Sequence, residues 1–242
     1  MSYVMQVDRI DSEERGVTQN EWLQSKHTYS FGNYYNLKRL NFGTLSVFND
    51  DIVEPGKGFK AHRHDNMEII TIVLDGALEH RDSSGHHGIL KVGDVQRMTA
   101  GTGIEHSENN ASLDTKAHFL QIWIYPQERD LEPGYELKTF TDETFKNTLF
   151  PIISNIHSET ALFIHQDATF YMGHFDANQT IQHRPSSKKY GDYLFVIEGE
   201  VQLGDSRFKA GDSAQITQTD QIEMQAKTAS KILLIEVSVN TL

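Results

Sequence analysis

Val73–His80 reads VLDGALEH and is followed at Lys91–Asp94 by KVGD; Val196–Leu203 reads VIEGEVQL and is followed at Lys209–Asp212 by KAGD. In both places an apolar, β-branched run meets an acidic residue and a glycine, a second run follows, and a glycine–aspartate turn closes the unit. Gly76 aligns with Gly199 and Gly93 with Gly211, 17 residues apart in the first copy and 12 in the second, so only the hairpin loop differs in length. Short apolar runs punctuated by turn residues specify antiparallel strands. A unit written twice at long range specifies a duplicated β domain.

The same style extends outward through residues 68–101, through AHFLQIWIY at 117–125 and through residues 193–217. Helical periodicity is scarce; TDETFKNTLFPIISN at 141–155 is the best candidate for a short helical piece, with Pro151 as its breaker. Between the copies, YPQERDLEPGYELKTFTDET at 125–144 carries two prolines and many charges, as a surface crossing would. The expected division is residues 1–130 and 131–242.

With 242 residues, 38% of them hydrophobic and 23% charged, the chain can bury a sizeable core. Its 22 basic against 34 acidic residues give a net charge of −12, and its longest basic run is Lys188-Lys189, which argues against direct nucleic-acid binding. No apolar stretch approaches the roughly 20 residues of a membrane span, and the first residues lack an apolar signal core. With zero cysteines, cytoplasm is the expected location.

FKAHRHDNMEII at Phe59–Ile70 places two histidines one residue apart before a strand-like run. Residues i and i+2 of a strand share a face, so His62 and His64 can point at one object, as can His106 and Glu108 in GIEHSENN. An HxH alone also suits a solvated pair on a sheet edge. Two such pairs on neighbouring strands would offer three imidazoles and a carboxylate with positions left open, a set that suits iron, copper, nickel or zinc.

GKGFKAHRHDNMEIITIVLDG, residues 56–76, resembles the first motif of the cupin superfamily, although Gly76 comes one position late. Residues 93–110 resemble the second motif, keeping its glycine, His106 and Asn110 but carrying Thr99 in place of a proline and two extra residues. SFGNYYN, HRHDNMEIITIVLDGALEHRDSSG, GDVQRMTAGTGIEHSE and FLQIWIYPQERDLEPGYE together resemble the pirin family of two-barrel cupins over most of residues 20–136, and more loosely beyond. That resemblance implies an all-β fold of two cupin (jelly-roll-like) β-barrels packed face to face. It also implies one divalent metal, usually Fe(2+) with Ni, Cu, Co, Mn or Zn compatible, on His62, His64, His106 and Glu108. Ordinary cupins would use Glu68 as the carboxylate; the pirin pattern favours Glu108 and leaves Glu68 an orienting role.

The implied function is a dioxygenase acting on flavonol-like enolic substrates such as quercetin, with an aromatic small molecule and dioxygen as partners and Glu108 as general base. The alternative is an iron-state-sensing regulator that binds a protein partner, and a third reading is a structural metal without turnover. Equivalent offsets in the second copy fall on Pro185, Ser187, Met224 and Ala226, and His183 is the chain's last histidine, so the C-terminal barrel is expected to lack metal ligands. His80 and His118 are candidates for core or ligand-orienting positions. His86 and His87 are expected in a solvated turn, and Phe59, Met98, Phe119 and Trp123 are expected to pack the barrel.

Overall fold

The structure is a computed structural model describing residues 5–239. Strands dominate it; the longest helix among the described residues is Asp142–Phe145, and none is long and apolar enough to cross a membrane. The chain leaves that helix at Lys146, whose ψ of 113° is extended, and turns on through Asn147 at φ 52°, a left-handed conformation that asparagine tolerates better than most side chains. Pro151 is therefore not the breaker. It lies inside the strand Phe150–Ser154, where the ladder slips register between Pro151 and Ile153, as a residue without an N–H would require.

Each half pairs a seven-stranded antiparallel-rich sheet with a four-stranded one. In the first half the large sheet centres on Glu68–Asp75 and Ala117–Ile124, and the small sheet contains Gly58–His64, Ile104–Asn110, Ala77–Asp82 and His87–Lys91. The second half repeats this with Tyr190–Glu198 and Ser230–Ser238 at the centre, and Thr180–His183, Ile222–Ala226, Glu200–Leu203 and Ser206–Lys209 in the small sheet. Gly76 and Gly199 turn the corresponding hairpins at φ 73° and 82°. A Cβ on either would lie 2.4 Å from the Lys116 carbonyl oxygen or 2.2 Å from that of Ala229, so the repeated glycine answers a repeated steric demand.

The halves exchange end segments. Gln6–Ile10 pairs with Ser213–Thr217 in the second large sheet, and Gly134–Thr139 pairs with Asp94–Thr99 in the first. Two strands thus cross the division expected at residues 130 and 131.

Alternation along the central strands decides which face meets what. Ile70, Ile72, Leu120 and Ile122 join Tyr193, Phe195, Leu233 and Ile235 in one buried core between the two large sheets. Phe48 sits within it, its ring centroid 4.8 Å from both Tyr193 and Phe195. The opposite residues face into each barrel. In the second barrel they are largely apolar, with Leu194, Val196, Val201, Phe208, Met224 and Leu234 forming a single core. In the first, two smaller clusters around Phe119 and Met98 flank an interior that holds Thr71, Gln121, His106 and Glu108. Polar side chains inside one barrel and apolar ones at matching places in the other locate the site before any chemistry is considered.

Candidate metal centre

Gly58–His64 and Ile104–Asn110 run antiparallel, with His62 opposite His106 and His64 opposite Ile104. Period-two alternation turns His62, His64 and His106 to the same side, and one ring nitrogen from each lies within 4.8 Å of the others. Their ring centroids are 4.6–5.0 Å apart. A register slip between His106 and Glu108 brings Phe59 opposite Glu108. Such a bulge re-aims the side chain that follows it.

His62 Nδ1 is 2.7 Å from the Lys60 carbonyl oxygen; a carbonyl only accepts, so Nδ1 carries the proton and Nε2 is left with its lone pair. His106 is 2% exposed, yet neither ring nitrogen has a hydrogen-bond partner, and His64 Nε2 is also buried without one. Orphaned buried imidazole nitrogens aimed at a common point are what a divalent ion would satisfy. Burial, then the neighbouring imidazoles, pushes His106 down to about 3 and His64 down to about 4. Both rings are therefore neutral at physiological pH, the form that ligates a metal.

Glu108 belongs to a second group with His106 and His80, whose donor atoms also lie within 4.8 Å of one another. Its Oε1 accepts from Thr71 Oγ1 at 3.1 Å and its Oε2 from Gln121 Nε2 at 2.7 Å. Burial raises its pKa against the opposing influence of His80 and the Thr71 bond. The structure thus brings three predicted residues into one cluster and sets the fourth beside His106, clamped by two donors from the large sheet. Glu68 is elsewhere: its carboxylate lies 3.5 Å from His165 Nδ1 of the second half and accepts from the His165 backbone N–H at 3.4 Å.

Four further histidines lie outside the three-imidazole cluster. His80 is 1% exposed and its Nε2 lies 3.2 Å from Asp82 Oδ2, with its ring 5.5 Å from that of His106. His118 has no part in the centre and pairs with Asp50 at 2.6 Å. His86 is on the exposed turn and His87, expected there too, opens the strand His87–Lys91; both are exposed, partnered by Asp82 and Glu79. Asn110 fixes the following turn, with Nδ2 donating to the carbonyls of Val53 and Thr115 and Oδ1 accepting from Ser112 N–H.

The imidazoles lie at one side of a cleft of about 610 Å³. Met98 and Phe119 are core residues, as expected, and Phe59 and Trp123 pack against their clusters while also lining this cleft with Trp22 and Phe31. Trp22 packs edge-on to Phe59 and Phe31 edge-on to Trp123, while Trp123 also meets the His64 ring edge-on at 4.8 Å. A polar group faces the same space: His27, held by Thr18 and Asn49 at 2.8 Å each, and Asp51, whose Oδ1 has no hydrogen-bond partner. Burial, opposed by a hydrogen bond from Ser25, pushes Asp51 up to about 7. Sequence reading did not single out Thr71, Gln121 or Asp51. The available signal was polar residues at inward positions of otherwise apolar strands.

A sequence model of the pirin family matches residues 10–124, and one described as the quercetinase C-terminal cupin domain matches residues 151–237. The chain is 35% identical over 224 residues to an Escherichia coli K12 protein named quercetin 2,3-dioxygenase, covering 93% of this chain and 95% of that protein. Its fold superposes on the crystal structure of YhhW from Escherichia coli with a TM-score of 0.92 and 34% identity, over 96% of this chain and 97% of that one. The nickel(II) complex of the bacterial pirin YhhW gives a TM-score of 0.90 at 33% identity, over 96% and 99% of the two chains. With this coverage in both halves, and with a donor set that fits a divalent metal ion, the chain belongs to the pirin family of two-barrel cupin proteins.

Proposed function

We propose that this protein is a metal-dependent dioxygenase acting on flavonol-like enolic substrates, with His62, His64, His106 and Glu108 holding one divalent ion, Fe(2+) by expectation. The observation that carries the reading is the convergence of three imidazoles with unpartnered nitrogens on an aromatic-walled cleft. The cleft volume falls within the roughly 300–1,000 Å³ range of small-molecule sites. The relative named quercetin 2,3-dioxygenase and the nickel complex of the bacterial pirin support the same reading.

A divalent ion in this donor set supplies Lewis acidity toward an enolic hydroxyl and electronic activation toward dioxygen. The chain supplies the rest. Trp22, Phe59, Phe31 and Trp123 present edges and faces to a flat ring and keep water from it. Glu108, uphill in pKa through burial, accepts the proton of the enolic hydroxyl, while Thr71 and Gln121 hold its carboxylate in place. Asp51, whose Oδ1 has no protein partner, offers a hydrogen-bonding group to a further ring hydroxyl.

The test is an aerobic assay with quercetin of protein loaded separately with iron, nickel, copper, cobalt or manganese. Turnover is expected as loss of the flavonol absorbance with release of carbon monoxide. Absence of turnover with all five metals would overturn the enzymatic reading and leave the metal-state sensor.

A further inference from the structure

The second barrel lacks the three histidines of the first, yet it contains a different convergent group. His183 stands opposite Ile222 just as His62 stands opposite His106. By ladder register, which shifts the expectation from the Gly211 offset by two residues, the positions of His106 and Glu108 have become Ile222 and Met224. Asp192, however, lies as far before Gly199 as Ile69 does before Gly76, and it pairs across the large sheet with Glu236, as Ile69 pairs with Trp123. The two carboxylates therefore replace an apolar pair and aim at His183 from the opposing sheet.

We propose that His183, Asp192 and Glu236 form a second divalent-cation site, for an ion of the zinc, manganese or cobalt class, within the C-terminal barrel. The three residues are 7%, 1% and 2% exposed, and one donor atom from each lies within 4.8 Å of the others. His183 Nε2 is 3.0 Å from Asp192 Oδ1 and 3.6 Å from Glu236 Oε2. An ion about 2.1 Å from each of two ligand atoms separates them by roughly 3.0 Å at a right angle and 3.4 Å at the tetrahedral angle, so the spacing is that of ligands around a cation.

Without a cation, burial disfavours the imidazolium but the two carboxylates favour it more, raising His183 to about 9, so a divalent ion binds here by displacing that proton. Despite their proximity, His183 Nε2 and both oxygens of Asp192 lack a hydrogen bond of acceptable geometry. An imidazolium wedged between carboxylates would direct its N–H along the line to an oxygen. Two carboxylates directly opposite on adjacent strands repel, and burial intensifies the repulsion; a divalent ion removes it. Glu236 is also oriented from behind, with Oε2 accepting from the Ser186 backbone N–H at 2.7 Å and Oε1 from Ser186 Oγ at 2.5 Å. This is the kind of outer partner that ligating carboxylates have. One imidazole with two carboxylates suits borderline metals better than the all-oxygen shells of calcium or magnesium. Access is short, because residues 184 and 186–189 of the segment that follows His183 are exposed.

The experiment uses the full chain carrying His62→Ala and His106→Ala, which disables the first centre. Equilibrium dialysis against zinc(II), with metal analysis of the folded protein, is expected to leave one zinc per chain, and adding Asp192→Asn is expected to remove it. Cobalt(II) added to the His62→Ala/His106→Ala protein is expected to give a visible ligand-field band that Glu236→Gln abolishes, an independent readout if Asp192→Asn does not fold. If wild type and the double variant each hold one zinc, the first centre fails and the second stands. Folded double variant that holds neither zinc nor cobalt, or zinc retained by folded Asp192→Asn protein, overturns the proposal.

Discussion

Gln121→Leu isolates the clamp on Glu108. Gln121 Nε2 donates to Glu108 Oε2 at 2.7 Å, and the side chain is 7% exposed, so leucine of similar size removes the donor with little loss of packing. Thr71 still serves Oε1, which leaves one carboxylate oxygen of a buried group without its protein donor. Loss of a hydrogen bond to a charged group costs about 1.5–3 kcal/mol, and loss of a partner behind a metal ligand weakens metal affinity roughly 10–100-fold, or about 1.4–2.7 kcal/mol. The sign of the pH effect follows from the same bond. Gln121 stabilises the ionised carboxylate, so its removal raises the Glu108 pKa further and makes the proton a stronger competitor of the metal. Nickel(II) competition against a chromophoric chelator should therefore show a larger loss at pH 6 than at pH 8. Affinity within about twofold of wild type at both pH values, against an expected change of at least about tenfold, would show that the clamp does not act on a metal ligand.

Glu108→Ala should abolish metal binding at the first centre, whereas Glu68→Ala should leave metal content unchanged in mass-spectrometric metal analysis; the reverse result would assign the carboxylate to Glu68. Asp51 is held near pH 7 in the fold against roughly 3.9 in an unfolded chain, so the folded state keeps a proton that the unfolded state has lost between those values, and wild-type stability falls as pH rises through that window. Asp51→Asn should flatten that fall by up to roughly 4 kcal/mol, measured as urea unfolding of both proteins at pH 4 and 8; parallel curves would contradict a protonated Asp51. Gly76→Ala should cost more than about 2 kcal/mol, because alanine must hold φ 73° with its methyl 2.4 Å from the Lys116 carbonyl oxygen. Phe48→Ala should cost about 3–5 kcal/mol and lower the unfolding midpoint of both halves together, since its ring bridges the shared core; separate transitions in tryptophan and far-ultraviolet signals would argue against one core.

The duplicated hairpin and the two HxH/HxE pairs were legible because their physical causes are local. Gly76 and Gly199 require a positive φ, and residues two apart on a strand must share a face. The clamp on Glu108 was not legible, since Thr71 and Gln121 become neighbours only through the pairing of Glu68–Asp75 with Ala117–Ile124. His183, Asp192 and Glu236 were hidden for the same reason, and counting histidines in the second copy passed over carboxylates supplied by the opposite sheet. The helix near residue 142 was placed correctly but its end was misread. Pro151 is conspicuous in the sequence, whereas the helix stops where Lys146 turns extended, ahead of a left-handed Asn147, a change that no periodicity records.

Because Gln6–Ile10 completes a sheet whose other strands lie beyond residue 149, a nascent chain carries this segment without its ladder partner until Ser213–Thr217 is made. Its first three side chains are exposed and include Asp8, and Arg9 follows, polar character that discourages mispairing of a bare edge during the wait. Ribosome pausing or truncation before Ser213–Thr217 emerges would then leave an unpartnered β segment, making the synthesis of Ser213–Thr217 the step that commits this sheet to its final topology.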